Sequence, residues 1–257
     1  MRSVSLGPGG LRALTGLPAC VVCDVARLTF RALVRGRPPR LRHIDRVLLV
    51  LIALRTNLTE RALAAIFRVS QSTVHRVIAG LLPRIANLFG TQEPAGGTTL
   101  LLDGTLILVH DQRLTRPSKN YRRSVNVQIV ATTGRRVVQV GRAWPGNRND
   151  IVVARATVRL PVGCRTLADG GYRSFPGAVT PPRVNTQALT LFRMNYQAGE
   201  VAVAVVAEHR RVRARVEHTI ARLKDWRMLR QCRRRGPAIS DAVRAVAYLH
   251  SVRLGGL

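Results

Sequence analysis

The sequence is most constrained at Leu100-Leu101-Leu102-Asp103-Gly104-Thr105-Leu106-Ile107-Leu108-Val109, where two apolar runs enclose one carboxylate and one glycine. Such a run reads as a buried strand. A charge in the middle of a buried strand costs several kcal/mol unless it is paired or holds a metal. Asp103 therefore demands a partner.

The rest of the composition narrows what that partner serves. The chain has 257 residues, 46% of them hydrophobic and only 4% aromatic, which predicts a globular protein with an aliphatic core. Its 42 basic residues stand against 13 acidic ones, a net charge of +29. A chain so cationic repels itself unless a polyanion neutralises it, so nucleic acid or an anionic membrane is the expected partner. The most apolar run, Val47 to Leu54, is eight residues, far short of the roughly 20 a spanning helix needs. With no export signal either, the expectation is a cytoplasmic protein with no membrane partner. Cys20 and Cys23 form one CxxC, but no second Cys or His pair follows at zinc-site spacing, so they read as small helix residues in a reducing compartment.

Residues 1–95 read as helical. Apolar positions from Leu14 to Ala32 recur every three or four residues with a break near Pro18, and His43 to Leu54 is apolar nearly all round, hence central. Thr59 is placed to cap a helix through Phe67, and Ser70 to cap another from Gln71 to about Leu82, where Pro83 ends the pattern. Two short helices joined by a tight turn make a helix-turn-helix. The second presents Gln71, Ser72, His75 and Arg76, side chains able to read bases or phosphates in a major groove. The stretch from Thr91 to Gly97 is the best linker in the chain.

Residues 96–257 change period. Strands are expected at 98–109, 125–131, 136–143 and 164–168, with the second and third forming a hairpin across Thr133-Gly134. Helices are expected at 150–158, from about Glu200 past Leu223, and at 241–252. Strands, hairpin, strand and helix make an α+β fold with one mixed sheet.

Nine acids lie beyond the linker. Asp103 interrupts an apolar strand, Asp169 terminates another, and Glu217 lies mid-helix. Two strand carboxylates and one from a helix packed on the sheet can converge, and such an oxygen set suits Mg²⁺ or Mn²⁺. Each also has a simpler account: Asp103-Gly104 as a strand-ending turn, Asp169-Gly170-Gly171 as a loop, and Glu217 as the ion-pair partner of Arg213 or Lys224.

Four blocks decide between these accounts: Leu102-Asp103-Gly104-Thr105, Pro145-Gly146-Asn147-Arg148-Asn149-Asp150, Leu167-Ala168-Asp169-Gly170-Gly171-Tyr172, and Arg215 to Trp226 around Glu217. In this order, behind a helix-turn-helix, they resemble the IS5-like DDE transposases, bacterial insertion-sequence enzymes related to the Harbinger transposases. The resemblance implies an RNase H-like catalytic domain in which Asp103, Asp169 and Glu217 are the catalytic acids and ligands of two Mg²⁺ or Mn²⁺ ions. Asp150 matches a further recurring position, taken as supporting. Lys119, Tyr121, Arg122 and Arg123 match a basic block. Along with Arg213, His218, Arg222 and Lys224 near Glu217, they are expected to grip DNA.

The partners implied are double-stranded DNA, both the inverted-repeat ends of the element and the target, and a second copy of the chain. The implied location is the bacterial nucleoid. The glycine expected beside Lys119 is absent, and 48 residues separate Asp169 from Glu217, leaving no room for a large insertion domain. Two other readings remain: a silent or domesticated copy that only binds DNA, and an RNase H-like nuclease, which gives the helix-turn-helix no role.

Overall fold

The structure, a computed structural model, describes residues 7–31, 39–90, 93–111, 113, 115, 123–181 and 196–255, with backbone alone for 196–205. The first half carries α1 (Pro8–Thr15), α2 (Ala19–Thr29), α3 (His43–Thr56), α4 (Glu60–Phe67) and α5 (Gln71–Asn87). Pro18, which cannot donate within a helix, sits at the start of α2 rather than inside it. In α3 every residue from Val47 to Leu54 is buried, so this helix is the hub of the bundle, packed by α1, α2 and α5. Its apolar surface on all sides has neighbours on all sides.

Both expected caps form. Thr59 Oγ1 accepts the Ala62 N–H at 3.1 Å, and Ser70 Oγ accepts the Thr73 N–H at 3.2 Å. Between them Arg68 takes a left-handed conformation (φ 52°) that turns the chain within three residues. One boundary differs from the sequence expectation. Helix α5 does not stop at Leu82; it runs through Pro83 to Asn87. An internal proline costs about 3 kcal/mol or more. Here the turn that follows it buries Ile85 and Ala86 completely and the turn before it buries Leu81 and Leu82, on a helix that packs along the C-terminal helix. Burying aliphatic side chains at roughly 1.5–3 kcal/mol each outweighs the break.

The second half carries β1 (Thr99–Val109), β2 (Ser124–Thr132), β3 (Val137–Val140), β4 (Trp144–Pro145), α6 (Asp150–Thr157), β5 (Arg165–Leu167), a 3₁₀ turn (Gly170–Tyr172), β6 (Ala178–Val179), α7 (Tyr196–Leu223), β7 (Gln231–Cys232) and α8 (Ala238–Arg253). The third strand is shorter than 136–143, because the chain leaves the ladder at Gly141 and pairs again only as β4. Helices α7 and α8 begin earlier than expected, at Tyr196 and Ala238. The α8 start is set by Pro237, which suits a helix N-terminus.

Among the described residues the strands form one sheet in the order β3-β2-β1-β5-β6, with β1, β2 and β3 antiparallel and β5 and β6 parallel to β1. This is the mixed, α+β sheet expected, with β1 at its centre. Because strand side chains alternate, the two faces part cleanly. Ile107 and Val109 of β1 with Val125, Val127 and Ile129 of β2 join the cluster that runs into α8, α3 and α5. Leu100, Leu102 and Val130 face the other way, into a cluster with Ala154 and Val158 of the α6 region, Tyr172 and Phe175. Leu101 and Leu167 pack on Val216, with Val212 and Ile220 alongside, so α7 lies over the same face as Ile107.

Candidate active site

Strand β1 does not end at Asp103-Gly104; it continues to Val109, paired with β2 from Leu100 through Leu108. The carboxylate thus stands mid-strand, as its sequence setting required. On the other side, Leu101 is level with Leu167 of the parallel strand β5. Two residues further along each chain, on the same face, come Asp103 and Asp169. Parallel pairing is what sets these two acids side by side. Asp169 begins a tight 3₁₀ turn rather than an open loop, its Oδ1 accepting the Gly171 N–H at 2.8 Å.

Helix α7 crosses this face with Val212, Val216 and Ile220 toward the sheet. The positions beside them, Arg213 and Glu217, fall one helical turn apart at the edge of the contact. Arg213 takes the centre. Its Nη2 lies 2.7 Å from Glu217 Oε1, while its Nη1 lies 3.8 Å from Asp103 Oδ1 and 3.9 Å from Asp169 Oδ2. That Nη1 is buried and makes no hydrogen bond. One guanidinium thus faces all three acids, with close contact to one only.

Asp103 is the most desolvated of the three, its side chain 18% exposed against 45% for Asp169 and 56% for Glu217. Burial pushes its carboxyl up to about 6, a rise to which the charges of Asp169 and Asp150 add. The Arg213 charge and the Gly104 N–H, 3.0 Å from Oδ1, oppose that rise. Asp103 is short of positive charge as it stands.

No three His, Cys, Asp or Glu side chains among the described residues are arranged as they stand to hold a metal. The donor chemistry nevertheless fits one. Two carboxylate oxygens face a single cationic nitrogen that has no hydrogen-bond acceptor, and the donors are oxygen only, the preference of Mg²⁺ and Mn²⁺. Glu217 meets that point through Arg213.

Asp150 is not part of this group. It lies against Gly104, whose missing side chain points to the face opposite Asp103: a Cβ there would collide with Asp150 Oδ1 and come within 2.8 Å of Gln128 Nε2. Asp150 Oδ1 accepts from Asn126 Nδ2 at 2.7 Å and from Gln128 Nε2 at 3.2 Å, and Gln128 Oε1 accepts from the Tyr172 hydroxyl at 2.5 Å. Sequence reading missed Asn126, Gln128 and Tyr172. The available signal was two amides at alternate positions of an otherwise apolar strand, which places both on one buried face.

The expected DNA-reading side chains Gln71, Ser72, His75 and Arg76 are exposed at the start of α5. Ser72 and Arg76 bond locally, and His75 Nδ1 lies 3.2 Å from Glu60 Oε1. The same Glu60 oxygen accepts from Arg234 at 2.9 Å, and Asn57 Nδ2 donates to the Gln231 carbonyl at 2.8 Å, so the start of α4 is held against the chain near β7. Arg222 is exposed, 4.0 Å from Asp225. Lys224 lies just past α7 and is half-buried; burial holds its ammonium below the usual lysine range, with the Arg230 charge adding to the effect. Arg213 faces the acids rather than solvent. Arg123 donates to the Thr115 carbonyl at 2.8 Å. Lys119, Tyr121 and Arg122 lie outside the described residues. Among those described, no helix is long and apolar enough to cross a membrane.

Comparison with known proteins places these features in a family. Residues 39–91 match the helix-turn-helix of DDE superfamily endonuclease, and residues 94–249 match the transposase DDE domain. Over 227 residues the chain is 41% identical to a Streptomyces albus G protein named "Putative transposase for insertion sequence element IS112", covering 86% of this chain and 84% of that one. No solved structure matches the chain.

Proposed function

The chain belongs to the DDE transposases, and from that premise we propose that it cuts the ends of its own insertion sequence and joins them to target DNA. Membership implies DNA binding and a divalent metal. The observation that carries the residue assignment is that Asp103 and Asp169, each two residues past the Leu101–Leu167 pair of the parallel strands, face the guanidinium that also binds Glu217. In this reading Asp103, Asp169 and Glu217 hold two Mg²⁺ or Mn²⁺ ions. When bound, such ions activate the attacking oxygen and stabilise the leaving one in an in-line displacement at phosphorus.

The chain's own side chains divide the remaining work. Asp103, costly to ionise in the bare site, is the acid that gains most from added positive charge. Arg213 Nη1 faces Asp103 and Asp169 without a hydrogen bond to either, so with a cation on those acids this guanidinium would be available to a backbone phosphate. Arg123, Arg222, Lys224, Lys119 and Arg122 supply further phosphate contacts, with Asp150 in a supporting role. Residues 1–95 recognise the inverted repeats through Gln71, Ser72, His75 and Arg76, and residues 96–257 carry the chemistry. Two copies act together on paired ends, in the cytoplasm at the nucleoid.

A labelled duplex bearing the element's inverted repeat, incubated with protein and Mg²⁺, tests the proposal. The wild type should nick at the end and join it to a second duplex, whereas Asp103→Asn should bind the end equally well and cut nothing. Wild-type binding without cutting would favour a silent copy. Cutting without joining would favour a simple nuclease.

A further inference from the structure

On the face of the sheet opposite the three acids lies a polar group around Asp150, to which the proposed chemistry gives only a supporting role. Asn126 and Gln128 are 2% and 0% exposed, and Tyr172 is 1% exposed. These are depths at which polar atoms persist only when satisfied. Here they are. Asn126 Nδ2 and Gln128 Nε2 both donate to Asp150 Oδ1, Gln128 Nε2 also donates to Asn126 Oδ1 at 2.9 Å, and the Tyr172 hydroxyl donates to Gln128 Oε1.

The two ends of this chain of bonds touch the backbone that carries the acids. At one end Asp150 and Gln128 fill the space that a side chain at Gly104 would need, and Gly104 is the residue after Asp103. At the other end Tyr172 closes the turn opened by Asp169, its N–H donating to the Asp169 carbonyl at 3.1 Å. Gln128 lies level with Gly104 in the register of β1 and β2, between the two ends. Asn126, Gln128 and Tyr172 are buried and satisfied, with Asp150 at the exposed start of α6 as their acceptor, and a satisfied network of buried amides has one low-energy geometry, which makes it a stiff connection.

We infer that Asp150, acting through Gln128 and Tyr172, is a positioning residue that fixes the spacing of Asp103 and Asp169 from the opposite face of the sheet. The inference rests on the proposed role of those two acids. It predicts that loosening the brace weakens cation uptake before it weakens the fold. Side chains that orient ligands without touching the metal typically change affinity by about 10–100-fold.

Tyr172→Phe removes one oxygen and keeps the ring; Asp150→Asn keeps one acceptor oxygen. Mn²⁺ binding to the full chain, followed by electron paramagnetic resonance without DNA, gives a readout independent of activity. The Mg²⁺ concentration for half-maximal nicking gives a second. Tyr172→Phe should melt within a few degrees of wild type, bind element ends normally, and bind Mn²⁺ about 10-fold or more weakly. Its nicking should recover in part at high Mg²⁺. Asp150→Asn should fall between it and wild type, and should carry the test if Tyr172→Phe does not fold.

Folded variants with wild-type Mn²⁺ affinity and Mg²⁺ dependence would overturn the brace. Asp103→Asn serves as the separate arm. If it still binds Mn²⁺ and cuts, the assignment of the acids fails; if it is inert while Tyr172→Phe matches wild type, only the brace fails.

Discussion

Two aspartates lie on opposite faces of one sheet and differ in what surrounds them. Asp150 receives two amide donors at 2.7 and 3.2 Å from side chains locked in the sheet. Asp103, more deeply buried, receives its own neighbour's N–H and a guanidinium no closer than 3.8 Å. The first carboxylate is satisfied within the fold and stabilises it. The second is desolvated without full compensation, a state that a fold tolerates where added charge restores the balance during function. In the proposed reading the satisfied acid maintains a shape and the undersupplied one takes up a cation.

That contrast can be broken most decisively by chemistry. Asp103→Asn or Asp169→Asn should lower end cleavage by about 10³-fold or more, since the charge stabilisation lost amounts to several kcal/mol of barrier. Asp150→Ala should lose far less activity at saturating Mg²⁺. Equal losses in a nicking assay would erase the distinction.

Stability should move in opposite senses at the two sites. Asp150→Ala strands the Asn126 and Gln128 amides on a buried face, so it should cost about 1–3 kcal/mol in urea unfolding at pH 7.5. Asp103→Asn should instead stabilise the metal-free protein. The folded-state value of Asp103, about 6, lies above its ordinary 3.8. Its contribution to stability is therefore fully present below about pH 4 and is lost as pH rises through 6. The variant's advantage over wild type should then be absent at pH 4 and grow to roughly 1–3 kcal/mol by pH 7.5. A variant less stable than wild type at pH 7.5 would mean that the Arg213 attraction dominates.

The smallest effect lies away from both faces. Ser70→Ala removes the α5 cap and should cost about 1 kcal/mol. End binding should weaken in gel shifts, with no change in the Mg²⁺ dependence of nicking.

Much of this was legible in the residues. The caps at Thr59 and Ser70, the all-round apolar α3 and the mid-strand position of Asp103 follow from local pattern, because capping, periodicity and burial cost act over a few residues. The run of α5 beyond Pro83 was not legible, since what offsets the proline is a helix more than 150 residues further along the chain. Arg213 was legible as a neighbour of Glu217 at helical spacing, but not as the cation facing Asp103 and Asp169, which arrive on β1 and just past β5. Asp150 read as a supporting acid, but its place behind Gly104, on the face away from Asp103, was not legible, because α6 brings it there.

The sequence by itself determined which residues can bear charge in a dry setting, which helices must cap where they do, and that so basic a chain requires a polyanion. Those are properties of composition and short-range spacing. Only the tertiary structure decided which acids share a face. Strand side chains alternate, so Asp103 meets Arg213 on one face of β1 while its neighbour Gly104 opens the other face to Asp150, which α6 brings there.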